Sequence, residues 1–156
     1  MAANTSPIWT LSPDIGWALI PNNTANTNTQ SPGTIDSGVA AGTVLAFSSG
    51  VNGSYLQKIR FQFTSTTSVI SSVATVLQVY ISSVNTVGAA LNTVNTTYFT
   101  GVQAAAQTLS AVTTAPYVIE IPLNFAIPAS RYILVSQSVA QTANSGWMAS
   151  VIGGDY

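Results

Sequence analysis

The chain has 156 residues, close to the ~150 of one ordinary domain, and only 4% of them are charged, against ~25% in typical soluble domains. Three basic side chains, Lys58, Arg60 and Arg131, are too few for a phosphate-binding face or a polybasic patch, which excludes nucleic acid and anionic membrane surfaces as expected partners. With no His and no Cys, the usual general base, the thiolate nucleophile and the nitrogen and sulfur metal ligands are missing as well.

The polar surface must therefore be built from neutral groups: 19 Ser, 20 Thr, 11 Asn and 8 Gln. β-Branched and aromatic residues dominate the apolar set, and Gly, Pro, Asn and Ser interrupt it at short intervals. That pattern predicts an all-β fold: a single domain over 1–156, a two-sheet antiparallel sandwich of jelly-roll type with roughly eight or nine strands. No stretch is long and apolar enough for a membrane-spanning helix.

Residues 1–12 open with MAANTSPIWTLS, which lacks the positive region and apolar run of a secretory signal and points to synthesis in the cytoplasm. Its prolines and polar breakers among apolar residues suggest an extended arm laid across a neighbour, with an ordinary first strand as the equal alternative. A strand is expected at 16–20, then a long polar loop at 21–38 and a second strand at 43–47. The clearest strand is 55–63, YLQKIRFQF, where Ile59, Phe61 and Phe63 face the core and Lys58, Arg60 and Gln62 face out. Residues 73–81 read as a central strand covered on both faces, and 82–97 as a loop between sheets.

Further strands are expected at 94–100, 104–109, 117–121, 131–139 and 146–152. Pro122 should end the strand at 117–121, and 104–106 could form a short helical turn.

No constellation of residues carries catalysis. Asp14, Asp36, Glu120 and Asp155 are scattered, with neither the spacing of a calcium loop nor that of a glycosidase carboxylate pair, and GxSxG is absent. The expectation is a non-enzymatic chain with no metal and no cofactor, in which Glu120 pairs with Arg60 or Lys58 on a neighbouring strand. Aromatic residues are the remaining candidates, as anchors for a protein interface or platforms for a sugar. Trp9 and Tyr156 stand out because a chain end has little core of its own to fill. A net charge near zero also favours a subunit that is permanently packed.

Four segments carry a family resemblance: NTSPIW followed by GWALI, then NGSYLQKIRF, then LNFAIPASRYILV, and the closing SGWMASVIGGDY. In this order they resemble small virion structural proteins of tailed bacteriophages, over most of the chain except 21–38 and 82–115. The resemblance implies a virion component similar to capsid decoration (cement) proteins, which are often jelly rolls bound on the outer capsid surface and commonly trimers. On that basis the expected partners are the major capsid protein and further copies of this chain in a homo-oligomer. The expected interface residues are Ile8, Trp9, Trp17, Trp147, Asp155 and Tyr156. A glycan-binding module of a tail fibre or spike, and a neck or tail ring protein, are the competing readings. Ser130 departs from the family pattern, which has Gly at that turn, and a different turn is expected there.

If residues 1–12 are an assembly arm, deleting them leaves the melting temperature of the free domain nearly unchanged and abolishes particle binding. A large loss of stability would make the segment a core strand instead.

Overall fold

A computed structural model describes residues 12–26, 42–85, 95–110 and 114–156. Ten strands appear among them: β1 (Ser12–Ile20), β2 (Val44–Ser48), β3 (Ser54–Ser65), β4 (Val69–Ser71), β5 (Thr75–Ser82), β6 (Thr96–Ala104), β7 (Thr108–Ser110), β8 (Val118–Ile127), β9 (Tyr132–Gln137) and β10 (Ser145–Asp155). They form two four-stranded sheets, in the orders β1-β10-β3-β8 and β2-β9-β5-β6, and a two-stranded ribbon of β4 and β7. Every pairing is antiparallel, and the described residues contain no helix. The fold is an all-β sandwich.

Side-chain alternation places the core between the two large sheets. Ile59, Phe61 and Phe63 of β3 point inward as their spacing predicts, beside Trp147, Ala149 and Val151 of β10. Facing them from the other sheet are Phe47, Leu77, Val79, Ile133 and Val135. Strand β5 is interior to its sheet and covered on its outer side too, where Gln78 and Tyr80 are buried beside Asn26, so residues of both parities are withdrawn from water.

Each lateral side of the sandwich carries a bulge. In β2, Leu45 pairs with Leu134 and Phe47 with Ile133, so Ala46 is an extra residue. Its carbonyl turns toward β1, where a Cβ at Gly16 would lie 2.1 Å from the Ala46 oxygen. Only glycine allows β1 and β2 to approach so closely. On the opposite side, β6 carries Phe99 as an extra residue between Tyr98 and Thr100, and its ring packs on Phe125 of β8 at 4.8 Å between centroids.

Several expectations need correction. β8 runs through Pro122 to Ile127, because it is an edge strand paired on one side only and its ladder with β3 shifts register beside Pro122. Ala104 ends β6 and 105–107 connect to β7, with no helical turn. The segment after β5 does not pass between sheets, since β5 and β6 are hydrogen-bonded neighbours in one sheet. Residues 86–94 of that connection, like 27–38 of the expected long loop, lie outside the described residues. Ser12, the last residue of the expected N-terminal arm, lies in β1, and residues 1–11 are outside the described residues. Ser130 has φ 58°, so the turn keeps the left-handed geometry that glycine would have taken without a Cβ penalty.

The Gly16 contact sets a direct test of edge closure. Gly16→Ala should cost ~1–3 kcal/mol, a drop of several degrees in Tm by calorimetry, because the Ala46 backbone has to move to admit the methyl group.

Candidate interaction surface

Strand parity sorts the outer face of the β1-β10-β3-β8 sheet into rows. Trp17 is in register with Ser150, Ser150 with Arg60, and Arg60 with Glu120. On one side of that row run Leu19, Met148, Gln62 and Val118, and on the other Ile15, Ile152, Lys58 and Pro122. The β1 end of every row is apolar and open to water: Ile15 is 55% exposed, Trp17 70% and Leu19 53%. A shallow groove of about 250 Å³ continues past Leu19, between Pro21, Thr64–Thr66 and Asn144–Gly146.

The β3–β8 end of the face holds the ions. The Lys58 ammonium donates to both Glu120 carboxylate oxygens, at 2.9 and 3.0 Å. Arg60 is the strand partner of Glu120, yet Lys58 takes the carboxylate, and Arg60 has no ion-pair partner among the described residues. Apolar and cationic surfaces thus lie on the same face of one sheet, two strands apart.

The outer face of the other sheet is built differently. The segment after β1 crosses onto it, with the Asn26 backbone N–H donating to Gln137 O at 2.7 Å. The Asn26 side-chain amide donates to the Tyr80 hydroxyl at 3.0 Å and to Ser136 Oγ at 3.3 Å, and the Ser136 hydroxyl donates to Gln78 Oε1 at 2.7 Å. Asn26, Gln78, Tyr80 and Ser136 are all buried. Burial, the largest influence, pushes the Tyr80 phenol above its usual range; the Ser136 hydrogen bond opposes this and nearby Tyr98 adds to it. Burial also raises Tyr98.

Four of the six expected interface residues are described, and they fall in three places. Trp17 stands on the exposed face of β1, while Ile8 and Trp9 lie outside the described residues. Trp147 is 0% exposed, with the rings of Phe63 and Tyr117 packed edge-on against its indole at 5.2 and 5.1 Å. It is a core residue with no surface left for a partner, because position 147 shares its inward parity with Ala149 and Val151. Asp155 and Tyr156 are half-buried and engaged within the chain. The Asp155 carboxylate accepts from the Ser54 hydroxyl at 2.5 Å and from the Gly50 N–H at 3.2 Å. The Tyr156 N–H donates to Gly53 O, and its own carbonyl accepts from the Asn52 side chain.

The segments NGS and GGDY are therefore two sides of one clamp, in which Ser54 pairs with Asp155 across β3 and β10. Gly53, at φ 95°, sits where a Cβ would lie 2.6 Å from the carbonyl of Ile127, inside LNFAIPAS. Three of the four resembling segments meet at this end of the sheet, where they fix backbone geometry. Ile15 and Leu19 were not singled out from the sequence; the signal for them was the alternation in DIGWALI, where the opposite parity holds Gly16 and Ala18.

Among the described residues, no group of three or more metal-ligating side chains converges. No family model matches the chain, and no curated protein or solved structure matches it either.

The raised Tyr80 and Tyr98 phenols set a pH dependence. Their folded values lie above the unfolded value of about 10, so the stability they confer is complete below pH ~10 and is lost as pH rises through the folded values. Tm should therefore fall more steeply above pH ~10 in the native chain than in Tyr80→Phe, as read by thermal melts in matched buffers.

Proposed function

We propose that this chain is a non-enzymatic structural protein of a tailed-phage virion that binds the outer capsid surface and cements the major capsid subunits. The observation that carries this reading is the open row Ile15, Trp17 and Leu19 on a domain with almost no charge. Large apolar side chains in one exposed strand cost solvation unless a partner covers them, and a nearly neutral surface lets many copies pack without mutual repulsion.

The strand orders support the reading further. With the short β4–β7 ribbon set aside, the eight long strands follow β1-β10-β3-β8 over β2-β9-β5-β6, which we read as a jelly roll, an architecture used by viral capsid and lectin domains. Such a subunit acts mechanically. Seated where capsid subunits meet, it adds buried area across their joints, so that parting them also breaks its own contacts. With Trp147 buried in the core, the binding residues of this reading are Trp17 with its β1 neighbours, Asp155 and Tyr156, together with Ile8 and Trp9.

Quantitative mass spectrometry of purified virions tests the proposal. It expects one copy of this chain for every one to three major capsid subunits, and particles that lose it on mild heating should break more easily. A ratio of a few per cent would place the chain in the tail, with the open Trp17 ring as a platform for glycan, and absence from virions would overturn the virion assignment.

A further inference from the structure

We infer that two copies of this chain pair face to face through the outer face of the β1-β10-β3-β8 sheet, about a two-fold axis that runs along β10 through Ser150. The argument rests on the register. Turning one sheet over about β10 exchanges its flanks, so β1 of each copy lies over β3 of the other. Trp17 then faces Arg60 of the second copy, Leu19 faces Gln62 and Ile15 faces Lys58, each contact occurring twice.

The two flanks supply what each other lacks. Trp17 presents an indole that is 70% exposed, and Arg60 presents a guanidinium with no ion-pair partner among the described residues. A guanidinium stacked on an indole satisfies both, because the ring's negative face attracts the cation while its area covers the apolar part of the Arg side chain. Ile15 covers the aliphatic stem of Lys58, whose ammonium stays on Glu120 at the interface margin.

Charge selects this axis over its neighbours. An axis along β3 would set Lys58 and Arg60 against their own copies, a like-charge arrangement that opposes association. An axis along β1 would leave three of the four strands outside the contact, and one midway between β10 and β3 would set the Trp17 indole on the Glu120 carboxylate, which the ring's negative face repels. With the axis on β10, the residues that meet their own symmetry mates include Ser150 and are uncharged. The overlap is modest: with β8 lying beyond the second copy's β1, three strands ~4.8 Å apart, over the nine positions of β1 at ~3.4 Å each, give ~440 Å², about half of the ~800 Å² per partner of a standard interface, which suits a weak dimer. The pairing covers the same β1 row that the capsid reading uses, so capsid binding has to displace the second copy; the pairing itself is tested on the purified chain.

The test uses the full chain. Sedimentation should show a dimer at tens of micromolar. The native sequence has no cysteine, so Ser150→Cys introduces a single thiol at the axis, which a short bis-maleimide should link to its mate. Gln103→Cys on the exposed surface of β6 should not be linked. Trp17→Arg should weaken the dimer ~10-fold or more by placing two cations together. Adding Arg60→Trp to that variant should restore it, because the rotation again sets Trp on Arg. All these positions are at the surface, and unchanged melting temperatures would confirm that the variants fold. A chain that stays monomeric at these concentrations overturns the inference, as does an oligomer without the Ser150→Cys link or a double variant no tighter than Trp17→Arg.

Discussion

Ile59, Phe61 and Phe63 on β3 and Trp147, Ala149 and Val151 on β10 point into one layer and are withdrawn from water by the sheet opposite. At ~1.5–3 kcal/mol for each large side chain, this shared parity is far too costly to reverse. Slipping β3 by one residue would bury Lys58 and Arg60 and expose Phe61 and Phe63, and slipping β10 would expose Trp147. The inward rows therefore also determine the outward ones, and Trp17, Ser150, Arg60 and Glu120 come to lie in one line across the sheet. At the other end of β3 and β10 the register shifts between Ile152 and Gly153, and beyond that shift the clamp in which Asp155 holds Ser54 and Gly50 ties the two strands together.

The scarcity of charge has a structural counterpart in the way buried polar groups are satisfied. Gln141 acts almost as a strand residue, its side-chain oxygen accepting the Val73 N–H at 2.9 Å and its amide donating to Val73 O at 3.2 Å. Gln137 reaches from β9 to the carbonyls of Pro21 and Thr24 at 2.7 and 3.1 Å, tying down the segment that leaves β1. Hydroxyl pairs such as Ser82 with Thr96 and Thr75 with Ser138 join strand ends. A neutral amide or hydroxyl can be buried with its hydrogen bonds made, whereas a charge in the same place would carry a large desolvation penalty. The abundance of Ser, Thr, Asn and Gln thus serves the interior edges of the sandwich as well as its surface.

The two large sheets differ in what covers them. The β2-β9-β5-β6 sheet has Tyr80, Leu134 and Ser136 buried on its outer side, with Asn26 among them. The β1-β10-β3-β8 sheet leaves its apolar row open at one edge and its ions open at the other. Its edge strand β1 is held to β2 through the Gly16 contact, so the open row sits on a rigid support. That asymmetry gives the molecule one face suited to a partner.

By itself the sequence determined the fold class, the strand at 55–63 with its inward and outward sides, and the pairing of Glu120 with a cation on the next strand, because period-two alternation and turn residues are local signals. It also determined, through composition alone, that polar satisfaction would be neutral. Only the tertiary structure decided which aromatics were core and which were surface. Trp17 and Trp147 both sit in apolar strands, and nothing within either strand distinguishes the side that meets the opposite sheet. The passage of β8 through Pro122 was likewise decided by its edge position. The roles of NGS and GGDY were decided in the same way, since Ser54 and Asp155 are 101 residues apart and meet only when β3 and β10 pair. Contacts of that separation depend on the order of strands in a sheet, which local alternation does not encode.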